Sequence, residues 1–263
     1  MKYGTVAFDS ASDQCRLYFS QSIGKHSDLK GSEMIRSMNH YPGATERLNM
    51  LARRVKNLKA QGTEVVFLAH EQIEKIWAKK GGLNEEPAAI KGLPDMPGNR
   101  TPEEICRAAD NILRVRRLNN GAEAIWVAAR EALQGDIYWE TKVRFNAVIP
   151  ELMNGLLPGS YEKLDAKIKS LKIDVNWHPP YVWVLYGIFG IGKTRSLCSF
   201  PGPIRLFDFD RGSDVLMGVR KDLGNQITEL TTSTGKVLHI TQYDVEECNE
   251  YPRFMGDLEV CFL

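Results

Sequence analysis

The 263-residue chain lacks an apolar run long enough to span a bilayer, a leader of the secretory pattern, and any sizeable net charge. The first two absences argue against a membrane partner. The third, 34 Lys and Arg against 33 Asp and Glu for a formal +1, leaves no whole-molecule field to draw nucleic acid or lipid, so any basic site has to be local. Cysteine is sparse: Cys15, Cys106, Cys198, Cys248 and Cys261 show no C-x-x-C spacing, which argues against a disulfide framework or structural zinc and fits a reducing cytoplasm. The five histidines show no metal-ligand spacing either, so no protein-bound metal is expected beyond Mg²⁺ carried with a nucleotide. Repeats and low-complexity tracts are missing. What remains is an ordinary globular composition, long enough for one large α/β domain or two small ones.

Against that background one segment is specific. Gly187-Ile188-Phe189-Gly190-Ile191-Gly192-Lys193-Thr194 fits G-x-x-x-x-G-K-[ST], the pattern of loops that cradle nucleotide phosphates. The β-branched and aromatic run Val182–Tyr186 predicts a buried strand before it, and Thr194 to Phe200 reads as the start of a helix, which is the context that makes the motif credible. Gly187, Gly190 and Gly192 let backbone N–H groups turn toward phosphate oxygens, and the helix N-terminus adds partial positive charge. Lys193 neutralises the β- and γ-phosphates, the Thr194 hydroxyl holds Mg²⁺, and Arg195 completes the nucleotide-binding set. ATP and Mg²⁺ are the expected ligands. Only 69 residues follow Thr194, too few for the remaining strands, so the other half of such a domain is expected upstream.

Upstream, Tyr3 to Asp9 reads as a strand ending in a carboxylate, followed by a helix to about Ile23. Ser27 to Gly43 reads as a loop, and Thr45 to Lys59 as a helix with Leu48, Leu51, Val55 and Leu58 on one face. Val65 to Ala69 is a buried strand ending at His70-Glu71. Gly81 to Pro102, rich in proline and glycine, reads as a long loop. Ile112–Leu118, Ala124–Ala129 and Ile137–Arg144 read as three strands, the first two joined at Asn119-Asn120-Gly121. Tyr161 to Leu171 is a lysine-rich amphipathic helix. After the glycine loop, Ile204 to Asp210 is a strand with acidic residues at its end, Val237 to Thr241 a further strand, and Asp244 onward a helix.

Ligands of doubly wound sheets lie at the carboxyl ends of parallel strands, which ranks four strand ends as contributors: those at Gly187, Asp9, His70 and Asp208/Asp210. Asp9 is the choice for the carboxylate of the Mg²⁺ shell, although a residue at such a turn could equally cap the next helix. For the acid that polarises water, Asp210 is preferred over Asp208.

These residues carry a family resemblance. Val6-Ala7-Phe8-Asp9-Ser10 resembles the second nucleotide motif of RecA-type ATPases, Val65 to His70 resembles their next strand with its γ-phosphate-sensing end, and Phe207-Asp208-Phe209-Asp210-Arg211-Gly212 resembles the acidic segment of phage-encoded RecA-like ATPases linked to recombination and single-strand annealing. The resemblance implies an α/β P-loop NTPase with a RecA-like, parallel-core sheet flanked by helices. It makes Asp210, Asp208, His70 and Lys193 the catalytic set, with His70 placed between the strands of Gly187 and Asp9. It also implies ATP hydrolysis, single-stranded DNA as partner, side-by-side homo-oligomers, and a cytoplasmic location, in the host if phage-encoded.

The order departs from that family, in which the phosphate loop precedes the Asp-Ser strand. Residues 1–150 then form the second half of the core, 151–179 a connector and 180–263 the first half, a circular permutation that is either natural or the trace of a gene boundary cutting a circular or tandem sequence. Lys79, Lys80, Lys91 and Arg100, with Trp77 nearby, are candidates for tracking a nucleic-acid backbone while a ring stacks on a base. Lys142 and Arg144 are candidates for a charge-stabilising contact in trans. The competing reading is a P-loop nucleotide-binding module or nucleotide kinase without DNA activity, though a compact arginine-rich lid is not evident.

Overall fold

The computed structural model describes residues 2–24, 41–76, 89–96, 101–118, 124–134, 137–145, 150–172, 177–217, 227–245 and 250–262. In chain order the elements are β1 (Thr5–Asp9), α1 (Ala11–Gly24), α2 (Tyr41–Ala60), β2 (Glu64–Ile76), β3 (Ala89–Asp95), α3 (Thr101–Ala108), β4 (Asn111–Arg117), β5 (Ala124–Val127), β6 (Ala132–Gln134) and β7 (Ile137–Tyr138). There follow α4 (Pro150–Met153), β8 (Leu156–Pro158), α5 (Tyr161–Ser170), β9 (Val182–Tyr186), α6 (Lys193–Leu197), β10 (Ile204–Asp208), α7 (Asp214–Met217), β11 (Thr228–Thr231), β12 (Val237–Gln242) and α8 (Glu250–Val260).

One mixed sheet runs β11-β12-β10-β1-β2-β9-β4-β5-β8, with β3 added to the far end of β2. Its centre, β12 to β4, is parallel, while β11, β5 and β8 attach antiparallel. This is an α/β fold with a mostly parallel sheet. Elements from both ends of the chain interleave in it: β1 lies between β10 and β2, and β2 between β1 and β9. The segment expected as a connector supplies β8 and α5 to the same structure.

Central strands buried on both faces have no polar side, and alternate residues feed opposite layers. Val6 and Phe8 enter one core with Leu51, Val55 and Leu58 of α2 and Phe254 and Leu258 of α8, while Ala7 enters the other with Leu164 and Ile168 of α5 and Leu197 of α6. Phe8 stacks between Phe67 at 4.8 Å and Phe207 at 5.4 Å, so neighbouring strands are locked by one aromatic row. The i, i+4, i+7 spacing of Leu51, Val55 and Leu58 makes α2 a one-sided helix, and Gly62, at φ 88°, takes the left-handed turn that ends it.

Four expectations need correction. The loop expected over 81–102 contains β3, which pairs with β2 from His70↔Asp95 to Ile76↔Ala89, so the strand expected to end at His70-Glu71 continues to Ile76; α3 then begins at Thr101. Glycine and proline misled here for a physical reason. A Cβ on Gly92 would lie 1.9 Å from the Trp139 ring, so Gly92 is what lets the indole lie on the ribbon, and Pro94 sits on an outer strand where a missing N–H is tolerated. The strand expected over 137–144 is β7 plus two isolated bridges, Trp139 with Gly92 and Lys142 with Ile112, the second pair exchanging both backbone bonds. Helix α2 spans Tyr41–Ala60 and so takes in the end of the expected loop, and α8 is described over Glu250–Val260, with 246–249 outside the described residues. The Asn119–Gly121 turn lies outside the described residues, although the β4–β5 antiparallel pair it was to join is present.

Candidate functional site

The parallel pairing of β9, β2, β1 and β10 stops at one level, and charged groups gather along that carboxyl edge. After β9 the chain turns through Gly187–Gly192 into α6. Gly190 (φ 72°) and Gly192 (φ 103°) have open space around them, so it is the left-handed backbone rather than crowding that requires glycine there. At Gly187 the reason is close approach: a Cβ would lie 2.5 Å from the Val115 carbonyl oxygen.

Lys193 is buried, and its Nζ donates to the carbonyls of Gly187 (3.0 Å) and Ile188 (2.9 Å). Burial lowers its pKa, opposed by the carboxylates of Asp9, Asp210 and Glu71. Next to it, Thr194 Oγ1 donates to Asp9 Oδ2 at 2.6 Å, joining residues 185 positions apart. Asp9 is only 2 % exposed. Burial, then the nearby Asp210 and Asp208, raise its pKa well above the carboxylate range, against the Thr194 hydrogen bond and Lys193. Asp9 does not cap α1. Ser10 does so, its carbonyl accepting from Asp13 and Gln14 N–H and its hydroxyl from Asp13 N–H.

The two acids after β10 differ in what they already hold. Asp208 accepts from the N–H groups of Gly212 and Ser213, from the Ser213 hydroxyl and from Gln242 Nε2, which ties it to the turn into α7. Burial still pushes it up to about 6, Ser213 opposing. Asp210 accepts from Gly212 N–H through Oδ1, and its Oδ2 lies 3.5 Å from His70 Nε2. His70 Nε2 is also 3.9 Å from Asp13 Oδ2, and the His70 N–H donates to Ser12 Oγ. Sequence reading missed Asp13, whose position in the first turn of α1 is the only signal that marks it.

Two donor sets could hold a cation. Asp9 Oδ2 and the Thr194 hydroxyl form the first, and Asp13, His70 and Asp210 offer one ligand atom each, all within 4.8 Å of one another, as the second. The first fits a hard divalent ion: oxygen donors, one a buried carboxylate surrounded by like charge. Gly212 also belongs here, since a Cβ on it would come within 2.5 Å of Asp9 Oδ2 and 3.0 Å of Thr194 Oγ1.

The other candidates are placed differently. Arg195 is exposed and lines a cleft of about 430 Å³ beside the loop. Lys142 is turned inward, its Nζ donating to the Cys106 (3.3 Å) and Ala109 carbonyls at the end of α3, and burial lowers its pKa; it acts as a helix C-cap rather than an outward contact. Arg144 is exposed with Nε 3.8 Å from Asp110, and both basic residues lie at the amino edge of β4, across the sheet from the glycine loop. Lys91 stands on β3, 6.0 Å from the Tyr138 ring, whereas Trp77, Lys79, Lys80 and Arg100 lie outside the described residues. Among the described residues no helix is long and apolar enough to cross a membrane. Comparison with protein-family models, with curated proteins and with solved structures gives no match.

Proposed function

We propose that the chain is a Mg²⁺-dependent ATPase of RecA-like, permuted architecture that acts on single-stranded DNA as a homo-oligomer. One observation carries the reading: the Asp9 carboxylate meets the Thr194 hydroxyl at 2.6 Å, beside the buried Lys193 ammonium. A strand-end carboxylate, a loop hydroxyl and a lysine converging from distant parts of the chain suit a metal-bound triphosphate better than they suit stability, because buried like charges oppose folding.

In this reading the triphosphate takes the N–H groups of the glycine loop and the α6 N-terminus, and Lys193 exchanges the Gly187 and Ile188 carbonyls for β- and γ-oxygens. Asp9 and Thr194 would hold Mg²⁺, and the chemistry it would supply there is neutralisation of charge on the phosphate oxygens. Asp210, less committed than Asp208, orients a water and takes its proton as the water oxygen bonds to the γ-phosphorus and the bond to the β–γ bridging oxygen breaks, giving ADP and phosphate. His70, 3.5 Å from Asp210, then registers that proton and the departing phosphate in this reading, and the β2–β3 ribbon that begins at His70 carries the signal toward Lys91 and the DNA.

The test is ATP turnover with and without single-stranded DNA over a range of salt. DNA-stimulated hydrolysis that weakens steeply with salt is the expected result; turnover indifferent to DNA would remove the DNA partner and leave a nucleotide-binding module.

A further inference from the structure

The phosphate-loop strand β9 divides the carboxyl edge of the sheet into two unlike halves. On one side stand β2, β1 and β10 with Asp9, Asp208, Asp210 and His70; on the other stand β4, β5 and β8, which no part of the proposed hydrolysis uses. That second side is not filled. A cleft of about 430 Å³ opens there between the ends of these strands and the first turn of α6, lined by Arg117, Ile125, Pro158, Ser160, Lys163 and Arg195 among others.

We infer that this cleft receives the nucleoside end of the triphosphate, so that the antiparallel extension of the sheet is the part of the protein that recognises base and ribose. The inference rests on the phosphate-loop reading and follows from direction. The γ end of the chain of phosphates is fixed toward Asp9 and Thr194, so the α-phosphate and what it carries must leave along α6 on the opposite side, past Arg195. The lining suits such a ligand: none of its residues is acidic, three are cationic, and Ile125 and Pro158 supply apolar surface. Guanidinium groups stack on aromatic bases, and a volume of this size is usual for small-molecule sites. Ser160 occupies the N-cap position of α5 yet its hydroxyl makes no cap bond to the helix, which leaves it for a ribose or base edge.

Calorimetric titration of the full chain with MgATP and with magnesium tripolyphosphate separates the two halves of the site. The wild type should bind ATP at least about tenfold more tightly than tripolyphosphate, and Arg117→Ala should remove most of that margin while shifting tripolyphosphate less than about twofold. Arg195→Ala, an exposed position on another element, gives a second variant with the same expected narrowing of the margin. Equal affinities for the two ligands in the wild type, or an unchanged margin in both variants, would overturn the inference. Lys193→Ala distinguishes the other failure: it should lose both ligands together, and if it loses neither, the phosphate-loop reading itself is wrong and the cleft assignment goes with it.

Discussion

The two edges of one sheet treat buried carboxylates in opposite ways. At the amino edge Glu64 accepts from Tyr161 Oη (2.9 Å), Tyr181 N–H (2.8 Å) and Trp183 Nε1 (2.8 Å), and Asp110 accepts from Lys59 Nζ (2.6 Å) and Val182 N–H (2.9 Å). At the carboxyl edge Asp9 has the Thr194 hydroxyl and two neighbouring carboxylates. Burial raises the pKa of Glu64 too, but its three donors oppose the shift, whereas around Asp9 two more acids add to it. The same residue type therefore ties strands together at one end and, at the other, is held in a state that a cation would relieve.

The largest expected effect breaks the amino edge. Glu64→Leu strands three donors and should lower unfolding free energy by about 4 kcal/mol in urea titrations, at roughly 1–3 kcal/mol for each donor left unmet, without changing the ATP affinity of the molecules still folded. At the carboxyl edge the reverse pattern is expected. Lys193→Ala should cost about 3 kcal/mol of ATP binding, above 100-fold, with little change in unfolding, because the Gly187 and Ile188 carbonyls it leaves can turn to water.

Proton linkage sharpens the contrast. Asp208 has a folded pKa of about 6 against an ordinary 3.8, so between these values the folded state holds more protons than the unfolded one. Its contribution is complete below the lower value and is lost as pH rises through the upper one, about 3 kcal/mol in all. Thermal or urea unfolding across pH 4 to 7 should show stability falling with pH, and Asp208→Asn should flatten the fall. The smallest effect concerns space. Gly212→Ala places a methyl against Asp9 and Thr194 and should raise the Mg²⁺ needed for half-maximal turnover about tenfold, leaving metal-free nucleotide binding within about twofold.

Much of the carboxyl edge was legible in the sequence because its signals are local. The glycines of the loop answer to φ, the run Val182–Tyr186 to burial on both faces, Asp9 to a strand that ends in a polar residue, and His70 to the polar residue that follows the apolar, parallel-paired part of β2. The adjacency of β2 to both β1 and β9 followed only from resemblance, since nothing in either segment encodes its neighbour. The ribbon β2–β3 was missed because it is held by pairing and by Trp139 over Gly92 rather than by a hydrophobic run. Lys142 shows the opposite failure: a basic residue read as outward, whose long side chain reaches inward to carbonyls at the end of a helix 33 and 36 residues earlier in the chain. The cleft beside α6 left no trace in sequence, since Arg117, Ile125, Ser160 and Arg195 come from four separate elements or their ends.

The coupling between magnesium and nucleotide tests the central claim most directly. ATP affinity measured by calorimetry with and without Mg²⁺, for the wild type and for Asp9→Asn, should show a metal-dependent gain in the wild type that is largely lost in the variant, while the metal-free affinities stay close. An equal gain in both proteins would contradict the assignment of Asp9 and Thr194 to one metal-bound triphosphate.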